Sequence, residues 1–201
     1  MGILAENLEW LFEEINPQLS MLELGNQFLY IPGKPWASFP EKYIDPSGTQ
    51  KKVAKYYFQE LGYDHTSVDL NGQDGTIQVD LSLPIFLNRK FDVITDFGTS
   101  EHVPSLYNCL LNVHNHAKDG AKLCHINPLT GHWPGHGYWY RDEDFYIEYA
   151  KITGYKIIKM KKFPACGNYV DGWNIWCFLK KSIGSTFPTE EEFNKLPIKT
   201  K

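Results

Sequence analysis

What the 201-residue chain lacks narrows its roles before any motif is read. It has no block of Lys and Arg. Its 20 basic and 24 acidic residues leave a net charge of −4, which argues against an extended nucleic-acid footprint. No apolar run approaches the length needed to cross a bilayer, so no membrane association is expected. The opening Met1-Gly2-Ile3-Leu4-Ala5-Glu6 lacks the basic-then-apolar order of a secretory signal. Cys109, Cys124, Cys166 and Cys177 form no Cys-x-x-Cys, so they read as buried reduced thiols of a cytoplasmic protein, not as a disulfide framework or zinc knuckle. Repeats and low-complexity segments are absent.

What is present is rich in aromatics, at 15%, and many of them fall in two loop-like stretches, 28–43 and 133–149. Core packing alone does not concentrate them there, and a lined pocket does. Residues 3–15 read as an amphipathic helix carrying Leu4, Leu8, Leu11, Phe12 and Ile15, stopped by Pro17. Strands are expected at 20–25, 66–69, 77–80, 91–96, 121–126, 155–162 and 174–181. Helices are expected at 51–61, 104–117 and 142–153, with Gly62 and Gly154 as C-terminal caps. Residues 28–50, with six Pro and Gly and with Tyr30, Trp36, Phe39 and Tyr43, read as a lid or substrate element. Alternating strands and helices imply a parallel sheet, and two final strands with a short connection imply one antiparallel hairpin. Residues 1–181 form one domain on this reading, and 182–201 a polar C-terminal tail.

Acids recur at strand ends. Glu23, Asp69, Asp80 and Asp96 all sit on the side where open α/β sheets bind ligands. A carboxylate at Asp69 offers two acceptor oxygens to the adjacent hydroxyls of a ribose. Asp80 could accept from an adenine amino group, and Leu70 and Leu81 could sandwich the base. Glu23 and the Gly25 backbone could hold a charged amino-acid moiety.

Leu22-Glu23-Leu24-Gly25-Asn26, Val68-Asp69-Leu70-Asn71, Val79-Asp80-Leu81, Phe91-Asp92-Val93-Ile94-Thr95-Asp96-Phe97-Gly98 and Ser100-Glu101-His102-Val103 resemble the successive motifs of class I S-adenosylmethionine-dependent methyltransferases. The resemblance spans roughly residues 20–181. It implies a Rossmann-like α/β fold: a seven-stranded, mostly parallel sheet with helices on both faces and a C-terminal antiparallel hairpin. It also implies that S-adenosyl-L-methionine is the cofactor. Glu23, Gly25 and Asn26 would lie by its methionine part, and Asp69 and Leu70 by ribose and adenine. Asp80 and Leu81 would meet the adenine edge, with Asp96 and Phe97 beside the sulfonium. Two features depart from the family pattern. Gln27 stands where a second glycine is usual, and Asp69 lies 44 positions after Gly25, against roughly 20 in a plain βαβ unit. The Gly-x-Gly-x-x-Gly of nicotinamide enzymes is missing.

Methyl transfer to a hydroxyl or protonated amine requires a base, and histidine is the natural one. His102, His132 and His136 are the catalytic candidates. Tyr30, Trp36, His125, Trp133 and Tyr138 are the substrate-binding candidates. His125, His132 and His136, with Glu101 or Asp96, could converge on a metal, but loop histidines at this spacing are a weak signal, and no metal is assigned. The expected function is methyl transfer to oxygen or nitrogen of a small polar acceptor, with carbohydrates among the candidates. The alternative is a cofactor-binding, non-catalytic relative acting as a partner subunit. Oligomeric state is not read from the sequence.

Overall fold

Short apolar runs and helix caps divide the chain into twelve strands and five α-helices among the residues that the computed structural model describes, 2–30, 52–164 and 172–200. In chain order these are β1 (Gly2–Leu4), α1 (Ala5–Phe12), β2 (Ser20–Leu24), β3 (Phe28–Tyr30), β4 (Lys52–Val53), α2 (Ala54–Glu60), β5 (Asp64–Asp69), β6 (Ile77–Gln78) and β7 (Phe91–Phe97). There follow α3 (Leu106–His116), β8 (Ala117–Pro128), β9 (Trp139–Tyr140), α4 (Glu143–Thr153), β10 (Lys156–Pro164), β11 (Trp173–Lys180), α5 (Glu190–Phe193) and β12 (Lys199–Thr200). Seven strands form the main sheet in the order β10-β11-β8-β7-β2-β5-β6. The run from β8 to β6 is parallel, and β11 is antiparallel to both β8 and β10. This is the expected seven-stranded sheet with its closing hairpin.

Both faces of the sheet are covered, as the doubly apolar strands require. On one face, Leu22, Leu24, Ile94 and Leu123 pack with α3 and α4. On the other, Met21, Val93, Phe97 and Cys124 pack with α1 and α2. The caps are local. Ser105 accepts from Asn108 N at 3.2 Å to start α3, and Asp142 accepts from Phe145 N at 3.2 Å to start α4. Among the described residues, no helix is long and apolar enough to cross a membrane.

Several elements differ from the sequence reading. The helix expected over 3–15 begins with a strand, because Gly2–Leu4 pairs with Phe28–Tyr30. The helix expected from Lys51 begins with Lys52–Val53, which pairs with β3. Together β1, β3 and β4 make a small second sheet at the base of the 28–50 segment, most of which lies outside the described residues. The strand expected over 77–80 stops at Gln78, and Asp80 instead starts a turn that accepts Leu83 N at 3.1 Å. His114 and His116, two apart on α3, are half-buried and buried, hydrogen-bonded to Tyr155 Oη and to the Asn112 carbonyl. The segment after Lys181 reads as polar, yet its Phe187, Phe193, Leu196 and Ile198 join the core beside α4. Thr189 and Glu192 form a capping box there, and β12 pairs with β9.

Candidate functional site

A cleft of about 400 Å³ opens beyond the carboxyl ends of β2 and β5, beside the turn after β7. Gly25 follows β2 at φ +85° and donates its N–H to Val68 O at 2.8 Å. A Cβ there would stand 2.6 Å from both Gln27 Nε2 and Thr99 Oγ1, so only glycine fits. Gln27 Nε2 donates to Thr99 Oγ1 at 2.9 Å, and the Thr99 hydroxyl donates to Leu24 O at 2.7 Å. These bonds brace the floor of the cleft.

Asp69, the last residue of β5, accepts Asn26 N–H at 2.8 Å on one oxygen and Asn71 N–H at 2.9 Å on the other. Each oxygen keeps a second lone pair for a ligand. Asp80 accepts Ser82 N–H at 2.8 Å, and its bonds to Ser82 hold its carboxyl below the usual range. Val79, Leu70 and Leu81 supply apolar wall between the two acids. Gly25, Asn26, Asp69, Leu70, Asp80 and Leu81 therefore meet in one cleft, joined by Gln27 and Thr99, which sequence reasoning had not assigned a role there.

Glu23, Asp96 and Phe97 do not line it. All three lie within the paired part of the sheet, where helix layers cover both faces. Glu23 is fully buried towards α2, 3.3 Å from the Nε2 of His65, whose ring stacks on Phe58. Burial pushes its carboxyl above the usual 4.5, outweighing the pull of His65. Phe97 packs among Met21, Val93 and Trp176.

Asp96 lies under the cleft at the centre of a buried network. It accepts Ser100 N–H at 3.0 Å and Asn127 Nδ2 at 3.2 Å, and lies 3.0 Å from His125 Nδ1 and 3.7 Å from Arg141 Nη1. Burial opposes its ionisation, but the bond to His125 and the charges of His125 and Arg141 prevail, holding it well below the usual carboxylate range. His125, expected to meet substrate, is thus a buried partner of Asp96 on the neighbouring strand. Arg141 has no helical or strand pattern around it that would reveal its burial from sequence.

On the other side of the cleft stands a second group. His102, which lines the cleft, has its Nε2 3.7 Å from Glu101 Oε1; His136 Nε2 lies 3.8 Å from the same oxygen. The two imidazoles meet edge to face, centroids 4.7 Å apart. Burial lowers the pKa of His102 below the usual 6.5, against the pull of Glu101. The loop bringing His136 here is pinned at both ends. Thr130 N donates to Arg141 O at 3.0 Å and Arg141 N to Pro128 O at 3.3 Å, while the Arg141 guanidinium reaches Ser100 Oγ at 2.6 Å. Inside the loop, Tyr140 Oη accepts His136 N–H at 2.9 Å and donates to Trp133 O at 2.8 Å.

The other loop residues separate. His132 lines a different pocket with Gly131, Pro134 and Lys199, away from His102. Trp133 donates its indole N–H to Trp173 O at 2.9 Å, and its ring stands 5.2 Å from His136. Tyr138 is half exposed and donates its backbone N–H to Glu101 O at 2.8 Å. None of His132, Trp133 and Tyr138 lines the cleft. Tyr30 ends β3, and Trp36 lies outside the described residues.

No protein-family model and no curated protein matches the chain. Solved structures do. TehB from Haemophilus influenzae aligns with a TM-score of 0.60 at 15% identity, covering 88% of this chain and 62% of that one. The 1,6-didemethyltoxoflavin-N1-methyltransferase of Burkholderia thailandensis, solved with S-adenosylhomocysteine, aligns at 0.53 and 15% identity over 83% of this chain and 72% of that one. The fold is that of the S-adenosylmethionine-dependent methyltransferases. The [4+2]-cyclase SpnF also aligns, with a TM-score of 0.60 at 11% identity over 90% of this chain and 82% of that one. A cyclase within this set means the fold alone does not name the reaction, and the site must.

Proposed function

We propose that the protein is an S-adenosylmethionine-dependent methyltransferase acting on oxygen, or secondarily nitrogen, of a small polar acceptor. The single observation that carries the reading is that Asp69 and Asp80 open onto one apolar-walled cleft beside Gly25. Its volume suits a cofactor-sized ligand. Asp69 holds the ribose hydroxyls, Asp80 accepts from the adenine amino group, and Leu70, Val79 and Leu81 hold the ring. Asn26 Oδ1 and Gln27 Oε1 are buried acceptors with no partner among the described residues, and they suit the ammonium of a methionine moiety. When bound, the cofactor supplies a methyl group activated by a sulfonium.

The chain's own part is alignment, exclusion of water and removal of the acceptor's proton. His102 stands where the cleft meets the Glu101–His136 group, so that group is where the acceptor gives up its proton. The imidazoles and buried carboxylate suit a hydroxylated molecule, sugars included. Free, buried Cys109, Cys124 and Cys177 fit a reducing, cytoplasmic setting. A second reading, a partner subunit that binds cofactor without catalysis, is favoured by Gln27, whose amide covers Gly25. Calorimetric titration with S-adenosylhomocysteine tests the first step. Stoichiometric binding is expected, and no heat at millimolar ligand overturns it. Methyl transfer to a panel of hydroxylated acceptors then separates enzyme from subunit.

A further inference from the structure

Glu101, His102 and His136 converge in a way that an acid–base pair does not need. One ligating atom from each lies within 4.8 Å of the others, and both imidazoles turn Nε2 towards the same carboxylate oxygen. At 3.7 and 3.8 Å neither contact is a hydrogen bond. Glu101 is fully buried, and its Oε1 and the Nε2 of His136 have no hydrogen-bond partner among the described residues. A buried carboxylate oxygen without a donor is costly, and a cation between the three atoms would satisfy all of them.

We propose that Glu101, His102 and His136 bind a divalent transition-metal cation, with zinc the best match to two imidazoles and a carboxylate. Ligand atoms around a tetrahedral zinc stand about 3.3 Å apart for bonds of about 2.0–2.1 Å, so shifts below an ångström close the set. The surroundings are those of a built site. Glu101 Oε2 accepts from Asn127 Nδ2 at 3.2 Å, and Asn127 Oδ1 accepts from Tyr146 Oη at 2.7 Å, which fixes the carboxylate from behind. The loop lies tight against Glu101 because residue 137 is glycine: a Cβ there would stand 2.8 Å from Glu101 O. Three protein ligands leave a coordination position open, and His102 places it on the cleft.

The assignment rests on reading the cleft as the place where cofactor and acceptor meet. An acceptor hydroxyl held at the open position loses its proton to water more readily. Its oxygen then forms the new C–O bond as the methyl C–S bond breaks, and the electron pair leaves on the thioether sulfur.

Protein stripped by a chelator is titrated with zinc and, separately, with cobalt, and S-adenosylhomocysteine affinity is measured on the same samples. One zinc per chain and visible cobalt absorption are expected. Zinc affinity should fall about 100-fold or more in Glu101→Gln and in His136→Ala, and stay unchanged in His132→Ala. Retained S-adenosylhomocysteine binding shows that the variants are folded with the cleft intact. Absent zinc binding, or zinc binding indifferent to Glu101→Gln and His136→Ala, while S-adenosylhomocysteine still binds, overturns the cation site alone. Zinc bound as expected with no S-adenosylhomocysteine binding in any sample upholds the cation site and overturns the cofactor reading.

Discussion

Four acids share one sequence signature, and the fold sorts them into two pairs with different work. Asp69 closes β5 and Asp80 lies beyond β6, and both face the cleft. Glu23 and Asp96 each stand one residue short of the end of their strand, and both are buried against a histidine. The buried pair then divides again. Asp96 collects the Ser100 amide, the Asn127 amide, His125 and the charge of Arg141, and it stays ionised. Glu23 has His65 at 3.3 Å and no hydrogen bond among the described residues, so desolvation dominates. Burial of an acid is therefore not one effect: the number of donors aimed at it decides the sign.

Breaking the strongest of these networks has the largest expected effect. Asp96→Ala leaves Arg141 buried without its nearest carboxylate and strips His125 of its partner. Removing one member of a buried ion pair costs about 3–5 kcal/mol, a large share of the stability of a domain this size. Urea unfolding followed by circular dichroism measures it. A loss within experimental error would mean that the network is dispensable and that the two buried acids are equivalent after all. The loop carrying His136 should loosen as well, since Arg141 anchors it through Ser100.

Asp69→Ala probes the other pair. It deletes acceptors from the cleft while leaving the network around Asp96 intact. Hydrogen bonds to a charged group contribute about 1.5–3 kcal/mol, so S-adenosylhomocysteine affinity should fall about 100-fold, with unfolding stability little changed. Loss of stability with unchanged affinity would reverse the assignment, making Asp69 a brace for Asn26 and Asn71 alone.

The sequence made the sheet legible because strand spacing and short apolar runs are local. β2, β5, β7, β8, β10 and β11 all fall where their residues suggest. The place of Asp69 at the end of β5 was legible for the same reason, whereas Asp80, expected to end a strand, lies in a turn beyond β6. What was not legible depends on which way a side chain points near a strand end. Asp96 is level with Leu24 and Val68, so it points to the face opposite Asp69, whereas Glu23 is level with Ser67, shares the face of Asp69 and is buried because it lies two positions deeper in the sheet. His125 followed Asp96 inward because the two are directly opposed on β7 and β8. The loop histidines, each preceded by glycine, separate: His132 lines its own pocket, while His136 reaches Glu101, to which Gly137 allows close approach. Strands β1, β3 and β4 were missed because two- and three-residue strands carry no periodicity to read.

The smallest effect gives the sharpest contrast between the buried acids, because they should shift stability with pH in opposite directions. The folded-state pKa of Glu23 lies above the usual 4.5, so above that value the folded chain keeps a proton that the unfolded chain has lost. Its contribution is present in full at low pH and is lost as pH rises through the folded value. Asp96 does the reverse. Its pKa is held below 3.8, so its contribution is present above that value and lost as pH falls. Glu23→Gln keeps the shape of the side chain and removes its titration. Unfolding midpoints measured from about pH 4 to about pH 8 should show the variant gaining on the natural chain as pH rises, by less than either effect above. A variant weaker by the same amount at every pH would show Glu23 ionised and firmly paired with His65, and the distinction from Asp96 would fall.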